Sequence, residues 1–376
     1  MHCPYSVGPK MLEGTVTTVG IIANPASGKD IRRLIAHGSV FDNQEKVSIV
    51  RRVMLGLQAV GVDEVVFMPD YFGIGQRALD GVQLDLRVST LEMRIQANQD
   101  DSTLAAEMMR ERGVGAIVTL GGDGTNRVVA KSVGDVPIMP ISTGTNNVFP
   151  QMIEGTVAGL AAGLVARRVL PLEETTQRQL RLEVRRDGQM LDIALVDVVV
   201  YADEFIGSRA VWDMSKVREI VLTQASPSNI GLSSIGGGVY CARLDRQHGV
   251  YIRLNEGHGP IELTAPIAPG LVEPVHIAGY RLLKVGDEVE VEFMPAILAL
   301  DGEREVEVRP GERVFVELSD RGPVLIDMRR TMQAAAQHGL LARAEAPAVL
   351  QATCILRAAG LCIDPPEQCL KEVTMP

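Results

Sequence analysis

A single aspartate, Asp123, sits among Gly121, Gly122 and Gly124 at the end of the apolar run G-A-I-V-T-L, Gly115 to Leu120. Glycines at a strand end let a backbone come close to a ligand or take angles that other residues avoid. Two further loops follow apolar runs: N-P-A-S-G-K-D (Asn24 to Asp30) and S-T-G-T-N-N (Ser142 to Asn147). Backbone N–H groups at helix starts bind phosphate oxygens, and a missing Cβ lets the phosphates approach. Any one of these loops is equally served by a plain turn, with Asn24, Asp30 or Thr125 capping a helix. Together on one sheet edge they favour a polyphosphate ligand. The candidate phosphate-binding residues are Asn24, Ser27, Gly28 and Lys29 in one loop and Gly121, Gly122, Gly124 and Thr125 in the next. Thr143, Gly144, Thr145, Asn146 and Asn147 form the third, which reads as opening a helix-like segment. The first loop is not a Walker A loop, because Ala23 stands where its first glycine belongs and Asp30 where Ser or Thr should follow Lys29.

The elements that must position these loops show two textures. From about Thr15 to Arg168, T-V-G-I-I-A-N-P, E-V-V-F-M-P-D, G-A-I-V-T-L and V-P-I-M-P-I-S are wholly apolar, as strands covered on both faces are. D-I-R-R-L-I-A-H-G, S-I-V-R-R-V-M-L-G-L-Q-A-V-G and S-T-L-A-A-E-M-M-R-E-R-G lie between them with helical spacing and a terminal glycine. This alternation predicts a Rossmann-like open parallel sheet, whose ligands bind at the carboxyl ends of the strands. From Gln177, short Val- and Ile-rich runs separated by Gly, Pro or Asp-Gly turns predict an antiparallel β-sandwich-like domain. The expected division is an α/β domain over 1–170, a β domain over 177–320, a strand and helix over 323–346 returning to the first domain, and a tail over 347–376.

Composition excludes several classes. The chain has 376 residues and a formal net charge of -10, with a pI near 5.2, which argues against nucleic acid or an anionic membrane as partner. No run has the length of a transmembrane helix, so the expected compartment is the cytoplasm, without stable membrane association. The five cysteines lack disulfide or zinc spacing, and the six histidines lack ligand spacing. Arg167, Arg168, Arg178, Arg181, Arg185 and Arg186 are dispersed and read as solvated, although one or two could meet phosphate.

The motifs N-P-A-S-G-K-D, G-G-D-G-T-N-R-V-V and P-I-S-T-G-T-N-N-V-F, in this order, resemble the superfamily that joins NAD kinases with diacylglycerol and sphingosine kinases. The stretch from Gly20 to Leu57 is similar to the ATP-NAD kinase-like branch that includes the acetoin-catabolism X proteins. The resemblance implies an α/β domain followed by a β-sandwich-like domain, and a dimer or tetramer. It implies that Asp123 is the general base toward an acceptor hydroxyl, since an alcohol attacks phosphorus only as a nearby acceptor takes its proton. It also implies ATP with Mg2+, the metal held by phosphates and water rather than directly by protein, and NAD as substrate. Asp197 then takes the place of the Glu in the Asn-Glu pair of NAD kinases, while Val196 replaces the Asn. Ser226 and Ser228 fall in a shortened match to a substrate loop that reads equally as a glycine-rich β-turn. Asp301 and Glu303 match the late D-G element, also a type I′ hairpin turn.

Three activities compete on this reading: phosphorylation of the 2′-hydroxyl of NAD to give NADP, phosphorylation of a different alcohol, lipid or small molecule, and nucleotide-dependent regulation without turnover. The missing Asn puts NAD in question, because losing one buried polar contact changes substrate choice strongly. The S-T-G-T-N-N loop is closer to that of lipid kinases. Retention of Asp123 argues for turnover.

Overall fold

The computed structural model describes residues 16–28, 41–144, 146–203, 213–240, 247–255 and 257–342. Strands β1 (Thr18–Ala23), β2 (Glu64–Phe67), β3 (Arg87–Thr90), β4 (Ala116–Gly121) and β5 (Ile138–Ser142) form a parallel sheet. Its order, β3-β2-β1-β4-β5, continues through β18 (Val324–Ile326) to β6 (Thr176–Arg178). The wholly apolar strands predict this arrangement, since β1 and β4 are covered on both faces. Helices α1 (Asn43–Ala59), α2 (Ile74–Leu79), α3 (Asp100–Glu111), α4 (Asp123–Ala130) and α5 (Gly155–Ala166) connect or cover them.

Glycine sets the closest helix contact. A Cβ on Gly159 would lie 2.2 Å from the Val53 carbonyl oxygen, and one on Gly56 would lie 2.3 Å from that of Thr156. Helices α1 and α5 therefore touch backbone to backbone. The short β3 and α2 carry patterns too weak to predict an element; β3 holds only exposed and half-buried residues at a sheet edge. The stretch after S-T-G-T-N-N is also different from the expected helix: it runs irregularly until Glu154 caps α5, accepting from the N–H groups of Thr156 and Val157.

After α6 (Leu172–Thr175) come β7 (Arg181–Arg186), β8 (Gln189–Ala194), β9 (Asp197–Tyr201), β10 (Val217–Leu222), α7 (Leu232–Val239), β11 (His248–Leu254), β12 (Ile261–Ala268) and β13 (Leu271–Lys284). They are followed by β14 (Glu288–Glu290), β15 (Ala296–Leu300), β16 (Glu303–Val308) and β17 (Val314–Ser319). They build two antiparallel sheets, β12-β13-β11-β10-β9-β15-β16 and β14-β17-β7-β8. Leu182, Val184, Val200, Val221, Leu298 and Val316 fill the space between these sheets. The L-S-S-I-G-G-G-V stretch is helix α7, not a β-turn: Leu232 and Ile235 pack on the other face of the larger sheet with Leu222 and Ile252. The chain then adds β18 beside β5, and α8 (Met328–Gln337) packs through Ala334 and Ala335 against Leu164.

One buried cation joins the two halves. Arg127 of α4 is fully buried; its Nη1 lies 3.0 Å from Asp192 Oδ2 of β8, and its Nη2 lies 3.0 Å from Glu305 Oε1 and 3.9 Å from Glu303 Oε2 of β16. Burial alone would lower its pKa, but the nearby Asp192, Asp301, Glu305 and Glu303 carboxylates more than offset this and raise it. Within the β domain, Glu219 of β10 is 3 % exposed on the same strand face as the core residue Val221. Burial pushes its carboxyl up to about 7, with Arg253 opposing and Glu292 adding to the rise.

Both groups give stability tests. Replacing Arg127 by Met strands carboxylates that have lost their counter-charge, so the chain should lose about 3–5 kcal/mol in urea unfolding; a loss under about 1 kcal/mol would show that the network does not join the halves. Glu219 holds a proton in the fold at pH values where the unfolded chain has released it. Stability should therefore fall as pH rises from about 4.5, the unfolded carboxyl value, to about 7. Glu219→Gln should remove that slope and gain roughly 1–3 kcal/mol at pH 8, whereas an unchanged slope in the variant would assign it to other groups.

Candidate functional site

The three glycine loops meet at the carboxyl ends of β1, β4 and β5 and line a cleft of about 600 Å3. They interlock through short contacts. Asn24 Nδ2 donates to Thr125 Oγ1 at 3.0 Å, tying the first loop to α4, and the Ser27 and Thr143 hydroxyls lie 2.9 Å apart. Gly28 has φ +77, and a Cβ there would meet the Thr143 carbonyl oxygen at 2.8 Å. Gly122 likewise faces Asn147, whose Oδ1 would lie 2.7 Å from an added Cβ. Beneath them the buried Lys46 Nζ donates to the carbonyl oxygens of Asn24 and Ser27, at 2.8 and 2.6 Å, and to Asn43 Oδ1 at 3.1 Å.

Asp123 is the first residue of α4 and half-buried, opening onto this cleft. Its Oδ1 accepts from the N–H groups of Val148 and Phe149 at 3.1 and 2.8 Å, and its Oδ2 accepts from Val148 at 3.1 Å. A carboxylate has about four acceptor positions, so these bonds orient it without exhausting it. The helix start contributes unpaired N–H groups and a positive dipole end at the same place. Glu303 lies over the first turn of α4, where a Cβ on Gly124 would be 3.1 Å from its Oε1.

The cleft is acidic. Asp70, Asp100, Asp101, Asp123, Asp301 and Glu303 line it, and among the described lining residues there is no Lys or Arg. Most of these carboxylates serve the backbone. Asp70 accepts from the N–H groups of Phe72, Gly73 and Ile74, and Asp101 from those of Gln96 and Ala97. Burial raises the Asp70 carboxyl pKa against those three N–H bonds and the Lys46 charge. Among the described residues no group of three or more His, Cys, Asp or Glu side chains is arranged to hold a metal ion.

Of the residues named from the sequence, Asn24, Ser27, Gly28, Gly122, Asp123, Gly124, Thr125, Thr143, Gly144, Asn146, Asn147, Asp301 and Glu303 all line this cleft. Lys29 and Thr145 lie outside the described residues. Gly121 is buried in β4 rather than on the cleft wall; a Cβ there would collide with the Thr125 side chain at 2.4 Å. Asp301 is 6 % exposed and its carboxylate accepts from Leu195, Val196 and Asp197 N–H, so it caps that turn instead of presenting a free acceptor to a ligand. It is nonetheless in the expected turn, with φ 52 followed by Gly302 at φ 81. Asp197 is buried at the start of β9 and lines neither cleft.

Ser226 lines a second cleft of about 850 Å3, and Ser228 does not line it but lies 2.8 Å from the Ser226 hydroxyl. This cleft runs between the domains beside Val148 and Phe149, so its wall carries the N–H groups that hold Asp123. Gln151, Gln177, Gln179 and Gln224 give it an amide-rich lining that also carries Glu154, Asp327 and Arg329, and the Gln177 Oε1 is buried without a hydrogen-bond partner. Sequence reasoning missed these glutamines, Lys46 and Arg127, because their roles depend on which distant segment packs on them. Only the N-R step after G-G-D-G-T hinted that a charge lay one turn below Asp123.

Comparison with known proteins agrees with both halves. Residues 19–169 match the ATP-NAD kinase N-terminal domain, and residues 180–321 match the acetoin catabolism protein X C-terminal domain. The chain is 40 % identical over 346 residues to the acetoin catabolism protein X of Cupriavidus necator, covering 88 % of this chain and 96 % of that protein. Among the described residues no helix is long and apolar enough to cross a membrane. The chain therefore belongs to the acetoin catabolism protein X family, with that family's C-terminal domain following an ATP-NAD kinase-type N-terminal domain.

Proposed function

We propose that this protein is a phosphotransferase that moves the terminal phosphoryl group of ATP to an alcohol, with the 2′-hydroxyl of NAD as acceptor and NADP as product. The observation that carries this reading is the placement of Asp123. Its carboxylate opens on the glycine-loop cleft and is gripped by the wall of the second cleft. A donor phosphate chain on the loop N–H groups and an acceptor hydroxyl at Asp123 would then be neighbours. The Asp123 carboxylate would take the hydroxyl proton as the oxygen attacks phosphorus.

The acidity of the cleft bears on the donor. Six carboxylate side chains and no described cation at its surface repel a bare polyphosphate. Mg2+ held by the donor phosphates and water would offset that repulsion, in keeping with a cleft in which no cluster of carboxylates among the described residues is arranged to hold the ion directly. Bound there, Mg2+ supplies neutralisation of the charge on the donor phosphates. Lys46 strengthens the site from behind, fixing the carbonyl groups of Asn24 and Ser27 so that this loop turns its remaining polar groups toward the cleft.

A second reading, another alcohol as acceptor, is favoured by Val196. Its side chain is 1 % exposed in an apolar cluster with Leu195 and Phe149, and its N–H is spent on Asp301. It offers no polar contact where NAD kinases use an Asn side chain.

With ATP and Mg2+, the purified protein should convert NAD to NADP, read by an NADP-specific dehydrogenase. Asp123→Asn should slow this by about two to four orders of magnitude, as for a lost general base, while unfolding and ATP binding stay close to those of the unaltered chain. Phosphate transfer from labelled ATP to diacylglycerol or a small polyol, but not to NAD, would move the assignment to the second reading. Tight ATP binding without transfer to any alcohol would replace the phosphotransferase reading by a regulatory one.

A further inference from the structure

A third cleft, of about 530 Å3, opens where the chain crosses between its halves, once at 178–181 and again at 319–323. Arg110 of α3, Lys131 at the C-cap of α4, Arg178 of β6, Arg181 of β7 and Arg321 line it, with Asp135 and Asp320 as its carboxylates. A five-to-two excess of cations is unusual on a chain with a formal net charge of -10. It lies on the face of the fold away from the glycine loops, since Arg110 is in the last turn of α3 and Lys131 and Gly134 follow the carboxyl end of α4.

Each of the five cations has a carboxylate within ion-pair distance, and neutral acceptors also fix three of them in direction. Arg110 Nη1 donates to the Ser132 carbonyl oxygen at 2.8 Å, Arg178 Nη1 to that of Gly322 at 3.0 Å, and Arg321 Nε to Ser319 Oγ at 3.2 Å. Neutral acceptors fix a guanidinium's direction and leave its charge. The carboxylate partners are fewer than the cations they serve. Buried Glu183 takes Arg181, Arg185 and Arg321 together, with Glu317 as a second partner of Arg185 only, so Arg181 and Arg321 share one negative charge. Asp135, paired with Arg178 at 2.5 Å, is 86 % exposed, and such a solvated pair contributes little and is readily exchanged. Lys131 pairs with Asp192 at 2.7 Å, and Arg110 with Glu107 at 3.6 Å.

We propose that this seam cleft binds the phosphate group of a phosphorylated small molecule, at a site separate from the glycine-loop cleft. Guanidinium forks match phosphate oxygens in bidentate geometry, and a phosphate dianion outcompetes an exposed aspartate for them. Its occupant touches both chain crossings and the C-terminal end of α4, the helix that begins at Asp123. At Lys131 it also competes with Asp192, which Arg127 holds from the other side. The site thus reads out a phosphorylated metabolite to the helix and the ion network that fix the cleft above.

Calorimetric titration of the full chain with inorganic pyrophosphate, at constant ionic strength and without ATP or NAD, tests this whatever the outcome of the activity assays. Saturable binding is expected, and the paired changes Arg178→Gln and Arg321→Gln should weaken it about ten-fold or more, the scale of a lost charged hydrogen bond. Both side chains are substantially exposed, at 44 % and 57 %, so folding should survive. If the pair unfolds, Arg321→Gln alone gives the same comparison. No saturable binding to the unaltered chain, or equal affinity in the variant, overturns the proposal; in the second case the pyrophosphate sits on the glycine loops.

Discussion

The fixed point of this protein is the grip of backbone N–H groups on buried or half-buried carboxylates. Asp123 is held by Val148 and Phe149, Asp301 by Leu195, Val196 and Asp197, Asp70 by residues 72–74, and Asp101 by residues 96 and 97. Each bond satisfies a donor that irregular backbone would otherwise leave unpaired, and each joins segments distant in sequence or closes a tight local turn. The loops need this because glycine, which lets them approach one another and a ligand, contributes no side chain to hold them. Where Gly28, Gly122 and Gly124 open space, Asn24, Asp123 and Thr143 supply the cross-links.

That division of labour has an electrostatic consequence. Carboxylates that steady loops also charge the cleft; on the phosphotransferase reading a polyphosphate would enter with a cation, and the α4 dipole and Lys46 would soften the remaining repulsion. Arg127 performs the complementary task one turn below, where Asp192, Glu303 and Glu305 converge from the β domain. Without that guanidinium, the hairpin carrying Asp301 and Glu303 would not pack against α4, since buried like charges cannot share a site. The same helix therefore presents Asp123 at its start and the interdomain lock in its middle.

The sequence carried the architecture well because its signals were local. Wholly apolar strands announced the parallel sheet, short alternating runs the antiparallel ones, and glycine after a strand the loops of the cleft. What it hid was decided by distant partners. The Gly237 position reads as a turn, but the Ser226–Pro227 backbone would lie within 2.2 Å of a Cβ there, so its glycine serves close packing inside α7. Asp301 is a candidate through its match to the late D-G element, with a hairpin turn as the competing reading; the fold shows that turn with its carboxylate directed inward on residues 195–197. Lys46 and Arg127 are charges on helices that pattern reading assigns to solvent, and both are buried by networks with no sequence spacing of their own.

The inward turn of Asp301 also bears on the acceptor. Val196, which the resemblance sets against an Asn of NAD kinases, is buried, and Asp301 consumes the backbone N–H at the same residue. Hydrogen-bonding capacity at that strand start is thus directed into the protein. On the phosphotransferase reading, polar contact with the acceptor falls instead to the neutral amides of Gln151, Gln177, Gln179 and Gln224 across the Val148–Phe149 wall. Amides donate and accept without a fixed charge, so they suit an uncharged polar group with both capacities, and the neighbouring Glu154, Asp327 and Arg329 keep the cleft wall polar. On that reading a lipid chain filling the cleft would cover these polar groups without pairing them, whereas a carboxamide or a sugar hydroxyl would pair with them.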